Sequence, residues 1–93
     1  MMILQSRAFG RKVKKFSKSQ KHQFDEQVKI IAENPTIGSE KKRDLREIYV
    51  HKFMIKTSQY LLAYRIVAED LELIMIGPHE NYYRELKKQL KNI

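Results

Sequence analysis

Residues 45–78 read LREIYVHKFMIKTSQYLLAYRIVAEDLELIMIGP, and this stretch decides the fold. Tyr60–Val67 (YLLAYRIV) and Leu71–Ile76 (LELIMI) are β-rich runs separated only by the tight turn Ala68–Asp70. Leu45–Ile55 reads as a strand before them, joined through a turn at Lys56–Ser58. Connections this short join antiparallel neighbours, because parallel strands need a crossover of a dozen or more residues. The stretch is therefore an antiparallel meander, and Gly77-Pro78 ends the sheet.

Outward from the meander the period changes from two to that of a helix. On the N-terminal side Phe9, Val13 and Phe16 recur at i, i+4 and i+7, and Phe24, Val28 and Ile31 repeat the spacing. Ser17–Ser19 interrupts the two, and Ser17 or Ser19 suits an N-cap. Pro35 cannot continue the second helix and pushes Asn34 toward extended backbone. Two antiparallel helices sharing one apolar seam follow. Ile3–Gln5 can form a short first strand, and Asn34–Asp44 (NPTIGSEKKRD) is a polar, turn-rich connector. On the C-terminal side His79–Lys91 returns to helical spacing, with Tyr83, Leu86 and Leu90 as its stripe. The order gives an α+β fold: an N-terminal helical hairpin packed on a small twisted antiparallel β-sheet, with a C-terminal helix. One domain, 1–93, accounts for the whole length.

Nineteen Lys and Arg against 11 Asp and Glu leave a net charge of +8. Such a surplus attracts polyanions or an acidic partner and speeds association with them. An anionic membrane ranks third, since an interfacial helix calls for a broad Trp, Phe and Leu face and the chain has no Trp. No apolar run approaches the roughly 20 residues that span a bilayer. With no cysteine there is no disulfide framework and no thiolate chemistry, which fits a cytoplasmic location. There is no glycine-rich phosphate loop, and His22, His51 and His79 lack metal-ligand spacing within one element. No cofactor and no metal is expected.

A basic and aromatic constellation remains on the sheet half. Arg46, His51, Lys52, Lys56 and Arg65 lie on or beside the strands, and His79, Tyr82 and Tyr83 sit where the last strand meets the last helix. Histidine exchanges protons near neutral pH, and tyrosine donates a proton or stacks on a base. Arginine and lysine hold a phosphate and stabilise added negative charge in a transition state. Together they can cut RNA without a metal. A duller reading stands beside this one: strand cations as solvated surface, Tyr83 in a packing stripe, and Tyr60 and Tyr64 half-buried in the core. A plain RNA-binding module is then the outcome.

Three stretches resemble the RelE/ParE superfamily of bacterial type II toxins: Asn34–Phe53 (NPTIG, a basic run, then LREIYVHKF), Tyr60–Ile66 (YLLAYRI) and Ile76–Leu90 (IGPHENYYRELKKQL). The third is the most specific, and it is most similar to a ParE-like toxin subfamily. The resemblance implies a cognate antitoxin protein that wraps the toxin. It also implies one of two targets: messenger RNA cut in the ribosome, as in RelE-like members, or DNA gyrase, as in ParE-like members. Carried over by position, His79 and Tyr83 resemble the His and aromatic pair of the YafQ-type branch, and Tyr60 matches an aromatic preceding a strand there. Arg46 matches the arginine that opens the middle strand. Leu61 stands where RelE carries a functional arginine, a role left to Arg65 or Lys52. On the first reading His79, Tyr83, Arg65 and Arg46 are catalytic, and Lys52, His51, Lys56, Tyr60 and Tyr82 bind substrate.

Overall fold

Two serines start the N-terminal helices. In the computed structural model, which describes residues 2–40 and 47–91, the Ser6 hydroxyl accepts from the Phe9 N–H at the head of α1 (Arg7–Lys14). Ser17 does the same for Gln20 at the head of α2 (Lys18–Glu33), and the Gln20 side chain accepts from the Ser17 N–H at 2.8 Å. This reciprocal pair satisfies two donors that a helix start leaves open. At the other end α2 stops at Asn34, immediately before Pro35.

The meander is present as β3 (Tyr49–Ile55), β4 (Ser58–Val67) and β5 (Asp70–Pro78), paired antiparallel. Ile3–Gln5 is β1, and it lies parallel to β5 at one edge, so the complete sheet is mixed. The helical hairpin between β1 and the meander is long enough to carry the chain to that edge in the parallel sense. A short β2 (Ser39–Glu40) at the opposite edge pairs with β3 and gives the order β1-β5-β4-β3-β2. Two polar residues in a connector carry no strand signal, so β2 is not legible in the sequence. β5 runs through Gly77 and Pro78, two residues past the expected end. Helix α3 starts at Tyr82 rather than His79, because residues 79–81 form a turn with Asn81 at φ 58°.

Strand alternation gives the sheet two apolar faces, and a different helical layer covers each. Phe9, Val13, Phe24 and Ile31 from α1 and α2 pack on Phe53, Ile55, Leu62, Tyr64, Leu71, Leu73 and Ile76. On the reverse face Tyr82 and Leu86 of α3 pack on Ile48, Val50, Leu61, Ala63, Ile74 and Met75. The register jumps from Ala63↔Met75 to Tyr64↔Leu73, so Ile74 is an extra residue on β5. This bulge lets Ile74 and Met75 both serve the α3 side. The Tyr82 hydroxyl fills the irregular ladder, donating to the Met75 carbonyl at 2.6 Å and bonding the Ala63 backbone.

Tyr64 ties the connector to the sheet. Its hydroxyl donates to the Pro35 carbonyl at 2.6 Å and accepts from the Gly38 N–H at 3.1 Å. A methyl at Gly38 would lie 2.9 Å from that hydroxyl and 3.0 Å from the Val50 carbonyl oxygen. Backbone on one side prevents easy relief, so Gly38→Ala is expected to destabilise by about 1–3 kcal/mol, the range for overpacking. Urea unfolding measures it, and an unchanged midpoint would show that the connector yields freely.

Candidate nucleic-acid interface

The end of the sheet at the β3–β4 turn gathers most of the expected site residues. His79 follows β5, and its backbone is held twice. Its N–H donates to the Gln59 carbonyl at 3.1 Å, and its own carbonyl accepts from the Tyr82 N–H at 3.2 Å. The imidazole itself is exposed. An anchored backbone with an exposed side chain suits a group that meets an outside molecule. Tyr83, four residues on, is half-buried at the margin of the α3 cluster, its ring edge-on to Tyr82 with centroids 5.7 Å apart.

Lys52 belongs to the same face. It opposes Leu61 across β3–β4, and Leu61 opposes Gly77 across β4–β5. Two strand spacings put Lys52 about 10 Å across the sheet from Gly77. Gly77 marks a close approach of another kind. A Cβ there would come within 3.2 Å of the Lys12 ammonium and 3.8 Å of the Tyr82 ring. Lys12 is a cation that sequence reasoning misses, since nothing in α1 separates it from its basic neighbours. The sequence reads Gly77-Pro78 as the end of the sheet, so only the extension of β5 through Gly77 reveals this approach.

Other residues fall elsewhere. Arg65 opposes Glu72 and donates through Nε to its carboxylate at 2.8 Å. Six strand positions from Gln59 put it about 20 Å from the His79 end, beside Gln5 and Gln89. It is not brought to His79, so this placement gives Arg65 no catalytic part there, contrary to the expectation from sequence. Tyr82 is 2% exposed with its hydroxyl committed to Met75, and burial pushes its phenol well above the ordinary range. It is a packing residue rather than a substrate contact. Arg46 lies outside the described residues.

His51 and Tyr60 point to the opposite face, under the hairpin. His51 stacks on Phe53 and donates from Nε2 to Gln27 Oε1 of α2 at 2.6 Å. Tyr60 packs edge-on to Phe16 and stacks on Phe53, and its hydroxyl accepts from Gln20. Neither shares the face of Lys52, so His51 is a helix–sheet contact rather than a substrate ligand. Tyr60 does line a hollow at the sheet end with Lys56, Ser17 and Gln20, which keeps these two together. Burial lowers the His51 pKa below its ordinary 6.5. The unfolded chain therefore binds a proton more readily than the folded one just below that value. Stability should fall as pH drops through 6.5, and His51→Gln should flatten that limb in pH-dependent unfolding.

Among the described residues no three His, Cys, Asp or Glu side chains are grouped to hold a metal. No described helix is long and apolar enough to cross a membrane. What the sheet end can supply is acid–base exchange from an imidazole, a phenol, and cations on two sides.

The model of the ParE-like toxins of type II bacterial toxin–antitoxin systems matches residues 3–87. The chain belongs to this family. A search of characterised proteins finds no match. Solved structures agree on the fold of the toxin. A double-arginine mutant of Escherichia coli RelE in the free state superposes with a TM-score of 0.74 at 20% identity, covering 99% of this chain and 96% of that one. RelE in the intact E. coli RelBE toxin–antitoxin complex gives 0.68 at 21% identity, covering 85% and 96%. The same mutant bound to a peptide of the antitoxin RelB gives 0.67 at 20% identity, covering 90% and 92%. At this identity the likeness is one of fold.

Proposed function

We propose that the toxin is a ribosome-dependent messenger RNA endonuclease that needs no metal and stops translation until a cognate antitoxin covers it. The observation that carries this is His79: a backbone bonded on both sides and an exposed imidazole, two residues beyond Gly77, where Lys12 approaches and across the sheet from which Lys52 lies. In the reaction a base takes the proton of a 2′-hydroxyl, whose oxygen attacks the adjacent phosphorus. The bond to the 5′ oxygen breaks, an acid protonates that oxygen, and the products are a 2′,3′-cyclic phosphate and a 5′-hydroxyl. His79 performs one transfer, Tyr83 performs the other or stacks on a base, and Lys52 and Lys12 stabilise the added charge on the phosphate. The RelE complexes with an antitoxin make a protein partner the natural regulator.

Gyrase inhibition is the second reading. The placement of Arg65 at the far end of β4 favours it, because the sheet end then holds one fewer strong phosphate ligand than a nuclease would use. Induction in bacteria, with translation and DNA integrity followed in one culture, separates the two. Rapid loss of translation with new message ends inside codons supports the nuclease. Arrest with intact messages and broken DNA replaces it with gyrase.

A further inference from the structure

The net charge is not spread over the molecule. Residues 1–24 contain seven Lys and Arg and no Asp or Glu, so they carry seven of the eight net positive charges. The other 69 residues hold 12 against 11 and are close to neutral. All seven cations lie on α1, at the α1–α2 joint or in the first two turns of α2: Arg7, Arg11, Lys12, Lys14, Lys15, Lys18 and Lys21. All seven are exposed. Among the described residues the ion pairs are Lys29–Glu26 and Arg65–Glu72, neither of which involves this group.

We propose that the outer face of α1 and the start of α2 form a dock for the phosphate backbone of folded RNA, separate from the His79 end. Arg7, Arg11 and Lys14 line one hollow, floored by Gln5, Ser6 and Gly10. The exposed large apolar residues are Met2, Ile3, Ile30, Ile37, Met54, Ile66 and Val67, and none falls between residues 7 and 22. A protein partner needs apolar anchors in a desolvated centre. A phosphate backbone needs only cations, and their counterion release supplies the affinity. The face has the second chemistry without the first. Lys12, which reaches Gly77, belongs to the His79 end, and the dock rests on the other six. The choice of RNA over DNA as the polyanion rests on the proposed nuclease reading; the dock itself does not.

The test is binding of the purified full chain to a fluorescent RNA hairpin as a function of salt. In Arg7→Gln/Arg11→Gln/Lys14→Gln, affinity should fall about tenfold or more, and the slope of log K against log salt should shrink by about 2–3. Arg84→Gln/Lys88→Gln/Lys91→Gln on α3 removes the same charge and should have the smaller effect. Equal losses from both triples would mean that binding follows net charge alone, and the dock is wrong. Unchanged RNA affinity in the α1 triple also overturns it, and weaker binding to an acidic protein in that case would assign the face to protein. If the α1 triple loses RNA affinity while the wild type cuts no message, the dock stands and the nuclease reading falls. If it loses affinity for DNA and RNA hairpins alike, the dock stands as one for phosphate backbone in general.

Discussion

Replacing His79 by alanine is expected to abolish growth arrest on induction and to slow message cleavage by about 100- to 10,000-fold, the usual contribution of a positioned proton-transfer group. The fold should survive. The contacts that place residue 79 are made by its backbone, to Gln59 and Tyr82, and an alanine keeps both. Thermal unfolding and antitoxin binding should therefore match the wild type. His79→Gln sharpens the result, because glutamine can still hydrogen-bond a phosphate but cannot exchange a proton near neutral pH. Loss of activity in both variants assigns proton transfer. Rescue by glutamine reduces His79 to a binding group.

Changing Tyr82 should do the reverse, with a large effect on stability. Its ring is 2% exposed beneath α3, and its hydroxyl bonds backbone at the bulge. Tyr82→Phe leaves the Met75 carbonyl without that donor, for about 1–3 kcal/mol. Tyr82→Ala also leaves a cavity, for about 3–5 kcal/mol. Against a total near 5–15 kcal/mol for a small domain, the alanine variant should be partly unfolded at 37 °C. Urea midpoints of the two variants, set beside Tyr83→Phe, measure this. A Tyr82→Phe protein as stable as the wild type yet inactive would place Tyr82 in the site after all.

The contrast between these adjacent tyrosines shows where sequence reading stops. Helical spacing puts Tyr83, Leu86 and Leu90 on one stripe, and Tyr82 lies outside it; the structure buries Tyr82 and Leu86 most deeply. The cause is the turn at residues 79–81, which delays α3 until Tyr82 and lets that residue plug the bulge. A bulge is a register property of two strands, and neither strand announces it alone. The helical hairpin and the meander were legible because their apolar periods are long and their connections short. The parallel pairing of β1 was not, since three residues carry no direction. Residue types that suit the proposed site are visible in the sequence, and the face each one takes is not. His51 and Lys52 are neighbours in sequence, yet alternation sends one under α2 and the other to the α3 side. Arg65 suits a phosphate by type, but Glu72 stands opposite it and takes its Nε–H. Lys12 has the sequence context of any surface lysine, and only the fold brings it to Gly77.

On the proposed function the toxin itself cuts message on the ribosome, and His79 is the group that does so. The most direct measurement adds the purified toxin to ribosomes programmed with a defined messenger RNA and maps the new ends. Cleavage within the codon at the decoding site, with 5′-hydroxyl and 2′,3′-cyclic phosphate ends, absent without ribosomes and lost in His79→Ala, is the predicted result. Intact message under the same conditions, with gyrase supercoiling blocked by the same preparation, would contradict it.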